Sequence, residues 1–157
     1  MSYSIIDHGA EVSIHVAAHS RRDLFADALM SLMSLMKHDR VNMAERIERS
    51  ISASALDETE LLLSFLSEAL RRARVYKEVY TRVVFSYCDD IFLEARLYGA
   101  PLEVRDEEIV SVSAYGASVK KLGPDAWEAE FSGNLACDDA SARDGEPETG
   151  ELFVSQY

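Results

Sequence analysis

Apolar and polar residues alternate from Glu11 to Val16, with Val12, Ile14 and Val16 set against Glu11, Ser13 and His15. A period of two predicts a half-buried strand that carries Glu11 on its polar side. Tyr3 to Ile6 predicts a shorter strand before it, with a turn at Asp7 to Ala10. The period changes after Ser20. Leu24, Phe25, Ala28, Leu29, Leu32, Met33 and Met36 fall at helical spacings and form one broad core-facing stripe. Ser20 followed by Asp23 is a variant capping box that starts this helix. Residues 37 to 48 are polar and carry no assignment. Arg49, Ile51, Ala53 and Ala55 then alternate with Ser50, Ser52 and Ser54 as a weakly apolar strand.

Asp57 and Glu60 stand at capping-box spacing ahead of a second helix, Glu58 to Arg74, which buries Leu62, Leu63, Leu66, Ala69, Leu70 and Ala73. Arg71, Arg72 and Arg74 at its end complement the helix dipole. Thr81 to Cys88 and Ile91 to Tyr98 flank Asp89-Asp90 as a hairpin, whose two acids read as turn chemistry. Ile109 to Val119 is a further strand, and Gly123-Pro124-Asp125 turns it into Trp127 to Ser132. These elements predict an α+β fold, a mixed or antiparallel sheet with two helices packed on one face.

A chain of 157 residues, 48% hydrophobic and 28% charged, suits one domain. Residues 1–135 form it in this reading, and 136–157 form an acidic tail holding Asp138, Asp139, Asp144, Glu146, Glu148 and Glu151 against Arg143. The net charge of -12 repels a phosphate backbone, so direct nucleic-acid binding is not expected. No apolar run spans a membrane and no secretory signal is visible, which makes the cytoplasm the expected compartment. Cys88 and Cys137 have no ligand spacing, and Cys88 reads as a buried thiol. His15 and His19, four apart on a strand, lie about 13 Å from each other, too far to share a metal.

The motifs of nucleotide binding, α/β-hydrolases and zinc proteases are missing, so a stand-alone enzyme gains no support. On the residues alone, Asp7 is a turn former and Glu11 a solvated acid, with a metal site as the alternative. The order of residues adds more. Tyr3 to Asp7, His8, Ala10, Glu11 and Val12, then a strand, then Leu24-Phe25 and an Ala/Leu/Met helix, resemble the archease family with its Asp-His-Thr-Ala-Asp-Val opening. The resemblance continues through Leu62 to Leu70 and covers about residues 3 to 135.

That resemblance implies a small protein cofactor that activates an RNA ligase in tRNA splicing and RNA repair by assisting its guanylylation. A chaperone-like effect on a tRNA methyltransferase has also been proposed for the family. The resemblance implies a protein partner, no catalytic residues and a Ca²⁺ site formed by Glu11, Asn134 and the Leu135 carbonyl. Departures accompany it. The motif threonine is Gly9, the second acid is Glu11, the terminal Asp is Asn134, and a lysine and a histidine expected on the penultimate strand are Ser111 and Gly116. Glu11 is one methylene longer and Asn134 keeps an oxygen but drops a charge, so a weakened cation site is expected. The rival reading is an archease-fold binding or chaperone-like protein that has lost ligase activation and serves another partner. A third, a metal-dependent enzyme, rests only on Asp7, Glu11 and Asn134.

Overall fold

A computed structural model describes residues 2–7, 11–35, 46–101 and 109–135. Among the described residues, seven strands and two helices follow one another as β1 (Ser2–Asp7), β2 (Glu11–Ala18), α1 (Arg21–Leu35), β3 (Ile47–Ser54), α2 (Glu58–Tyr76), β4 (Glu78–Cys88), β5 (Phe92–Pro101), β6 (Ile109–Gly123) and β7 (Ala126–Leu135). The expected order of elements and the α+β class are both present. His8 to Ala10, Met36, Cys137 and the acidic tail lie outside the described residues.

The strands divide between two antiparallel sheets. One has the order β1-β2-β7-β6 and the other β3-β5-β4. Each helix touches strands of both sheets, α1 against β2, β7 and β4, and α2 against β6, β3 and β4. The helices therefore lie on one face of each sheet and form the layer between them. Leu24, Phe25, Ala28, Leu29, Leu32 and Met33 are buried as the stripe predicts, and Asp27 and Ser31, on the flank of that stripe, are buried too. Phe25, Phe65 and Phe85 join the layers through ring contacts at 6.2 and 5.6 Å. Burying such a ring fully contributes on the order of 1.5–3 kcal/mol.

Local chemistry fixes the element ends. Ser20 Oγ accepts from the Asp23 amide at 3.1 Å, and Asp57 Oδ1 accepts from the Glu60 amide at 2.8 Å, so both acid-containing caps form. Lys77 ends α2 in the left-handed conformation, φ 58°, and its amide donates to Ala73. Arg71 and Arg72 both pair with Glu68, and Arg72 also donates to the Ser50 carbonyl of the edge strand β3. Arg49 pairs with the buried Glu78, which also accepts from the Tyr80 hydroxyl at 2.8 Å, beneath the Tyr76 ring. Burial and the neighbouring carboxylate push the Tyr80 hydroxyl far above its ordinary pKa. Asp89 ties the β4–β5 hairpin by accepting from the amides of Ile91 and Phe92, which is the turn chemistry expected of it.

Candidate functional site

The alternation along β2 puts Val12, Ile14, Val16 and Ala18 into the core and leaves Glu11, Ser13, His15 and Ala17 on the outer face of the four-stranded sheet. Partners in an antiparallel ladder share a face. Glu11 lies directly opposite Asn134, and Asn134 directly opposite Ser111, so three residues 23 to 123 positions apart in sequence form one row across β2, β7 and β6. The Asn134 amide nitrogen donates to Ser111 Oγ at 3.0 Å. That bond fixes the amide and leaves its oxygen as the atom Asn134 can offer a cation. Glu11 is exposed and Asn134 half-buried. Leu135 ends β7 one position further, opposite Ile109. Asp7 closes β1 opposite Val12, one step from Glu11 in the ladder.

Glu11 and Asn134 are thus brought together, with the Leu135 backbone next in line. The donors are all oxygens, the type hard cations select, but Ca²⁺ takes six to eight ligands and this set carries one formal charge. Among the described residues no three His, Cys, Asp or Glu side chains gather with metal-site spacing. The penultimate strand, β6, is irregular in its backbone. Its pairing with β7 is irregular between Ser113 and Ser118, and Gly116 sits there at φ 75°, a conformation that disfavours any residue with a Cβ.

The remaining titratable candidates are accounted for locally. His15 Nε2 lies 2.8 Å from Glu128 Oε2 on β7, and His19 Nδ1 donates to the Asp125 carbonyl at 3.2 Å, so the two rings go to separate partners. Cys88 is half-buried, and burial pushes its thiol up to about 11, which suppresses the reactive thiolate. Sequence periodicity did not single out Asp27. It is buried on α1 with one carboxylate oxygen unpartnered, and burial, then the Asp23 charge, raises its pKa. The signal available was its spacing of three and four from Leu24, Asp23 and Ser31, which marks one helix flank, but nothing in the sequence says that this flank is buried. Among the described residues no helix is long and apolar enough to cross a membrane.

A model of the Archease protein family (MTH1598/TM1083) matches residues 3–132. Asn134 and Leu135 lie just past that span. The chain is similar to the protein archease of Thermoplasma volcanium, 25% identical over 117 residues that cover 73% of this chain and 86% of that one. It is similar in fold to Methanobacterium thermoautotrophicum protein 1598, solved in solution, with a TM-score of 0.63 at 18% identity, covering 84% of this chain and 97% of the other.

Proposed function

The chain belongs to the archease family, and from that premise we propose that it is an archease-type accessory protein that activates an RNA-splicing ligase in the cytoplasm. The observation that carries the reading is the register that sets Glu11 against Asn134 at the open end of β2 and β7, the two positions a family-type cation site would use. In this reading Glu11, Asn134 Oδ1 and the Leu135 carbonyl hold a Ca²⁺ ion, which would present a positive centre on an acidic surface. The chain's own contribution is positional. The ladder fixes the spacing of the two side chains, and Ser111 orients the amide. With one carboxylate among the ligands the affinity falls in the weak range, a dissociation constant on the order of 10⁻⁴–10⁻³ M.

The test is multiple-turnover RNA ligation with the ligase of the same source, with and without this protein. Stimulation that is reduced by Glu11→Gln supports the reading. No stimulation at any Ca²⁺ concentration, together with no binding to the ligase, would sink it.

A second reading is favoured by a specific feature. The lysine and histidine positions of β6 hold Ser111 and Gly116, and Gly116 has adopted a backbone conformation that a histidine would strain. A family member that keeps the fold, has lost ligase activation and serves another protein would show this pattern. Ligase binding without stimulation, unchanged by Ca²⁺, separates it from the first.

A further inference from the structure

Four strands end the two sheets, β1 and β6 in one, β3 and β4 in the other. A helix meets three of them. On β4 the Tyr80 amide donates to Met33 Sδ at 3.5 Å, and Arg22 donates to the Phe85 carbonyl at 3.0 Å. Arg72 donates to the Ser50 carbonyl of β3, and the Val119 amide of β6 donates to Thr59 Oγ1 at 3.0 Å. The fourth edge is β1, which among the described strands pairs with β2 alone. A strand in that position presents a row of amides and carbonyls on which a further strand can form.

Beside that edge lies one flank of α1. At about 100° per residue, Asp27 is turned roughly 120–140° around the helix from Arg22 and Met33, the residues that reach β4, and so sits on the side of the four-stranded sheet. There α1 packs against β1 and β2, and the charge at the amino end, one residue before β1, acts on the Asp27 carboxyl. Asp27 is 7% exposed and its Oδ2 has no hydrogen-bond partner, although buried polar atoms are ordinarily paired. Burial, then the Asp23 charge, disfavours its ionised form, and the amino-terminal charge acts the other way. Asp23 and Ser34, both exposed, and the half-buried Met30 continue the same flank. The other charges of α1 go elsewhere, Arg21 to Glu58 and Arg22 to Phe85. We propose that β1 accepts an extended segment of another protein as an added strand, and that a lysine or arginine of this segment pairs with Asp27 and Asp23 beside α1. Main-chain pairing gives such a complex its affinity, and alternate side chains give its specificity. Charge complementarity selects the occupant. A second copy pairing through β1 would set Asp23 and Asp27 against their own counterparts, and residues 136–157 carry six acids against one arginine. The added strand uses neither Glu11 nor Asn134, so it stands apart from the cation site and from ligase activation.

Photo-crosslinking identifies the segment, and a synthetic peptide of it then tests the pairing. Benzoylphenylalanine replaces the exposed Ser34 in the full chain, expressed in the native host, and a matched chain carries it at the exposed Lys120 on β6. The expected result is an adduct from position 34 only, to a segment of another protein that contains lysine or arginine. The peptide should slow hydrogen exchange at the β1 amides. Its affinity should fall at least about tenfold when one alternate set of its amides is N-methylated and hold when the other set is. Asp27→Asn should weaken it at least about tenfold, and Asp23→Asn in the same direction. Melting temperatures of both variants at or above the parent's separate lost pairing from lost folding. An adduct to a second copy, to residues 136–157, to nucleic acid or to lipid, no adduct at all, equal labelling from position 120, or a peptide indifferent to N-methylation or to Asp27→Asn would overturn the proposal.

Discussion

Asn134 offers the most direct test of a single residue, because its amide occupies the place where a second carboxylate would face Glu11. Asn134→Asp puts two like charges directly across a ladder, which costs about 0.2–1 kcal/mol without a cation. The same change should tighten Ca²⁺ binding and stabilise the loaded protein by linkage. Thermal melts should therefore show the variant below the parent without Ca²⁺ and above it at millimolar Ca²⁺; a melt indifferent to Ca²⁺ in both proteins would remove the cation site. Asp27 carries the clearest pH signature. Its folded pKa is raised, so the protonated form is the one the fold favours. Its neutral form is present below the ordinary carboxylate pKa, and that advantage is lost as pH rises through the raised value. Asp27→Asn should then stabilise the protein at pH 7 by about 1–2 kcal/mol, the scale of an unsatisfied buried group, and lose most of that gain below pH 4. Urea titrations at the two pH values measure the difference.

Among the elements, those whose signals are local were legible, and those decided by a neighbour were not. Both caps and the hairpin turn were readable because Ser20, Asp57 and Asp89 act within four residues of themselves. Removing the cap with Asp57→Ala should cost about 1 kcal/mol and free the Glu60 amide, seen as faster hydrogen exchange in the first turn of α2. The irregularity of β6 had no such signature, since Gly116 inside an alternating run shows its positive φ only against the register of β7. Gly99 is similar. A Cβ there would lie 2.0 Å from the Val79 carbonyl oxygen and 2.8 Å from Tyr80 Cα, a backbone approach that no pattern on β5 announces. Gly99→Ala should destabilise by about 1–3 kcal/mol or more, because backbone rather than a flexible side chain must yield; chemical denaturation measures the loss. The candidate site was legible in part for the same reason. Glu11 and Asn134 were named from family resemblance, whereas their pairing depends on a strand register that only the assembled sheet defines.

At the scale of the whole molecule, seven strands and two helices were predicted in order, but their division into two sheets was not, because alternation marks one buried face per strand without saying which strands share it. The division has a consequence for cooperativity. Extensive contacts run from helices to both sheets rather than from sheet to sheet, so neither sheet keeps its buried face unless the helical layer stays in place. Leu24, Phe25, Leu61, Phe65 and Leu66, all fully buried, would be exposed by the loss of that layer. The two sheets should therefore unfold together. Trp127, the single tryptophan, reports on the four-stranded sheet, where it lies between Arg21 and Lys121. A fluorine-labelled tyrosine at position 80, buried on β4, reports on the other. Superimposable denaturation curves from the two probes are expected. Two separated transitions would show that the three-stranded sheet holds its own core, and the helices would then be packed on one sheet rather than shared by both.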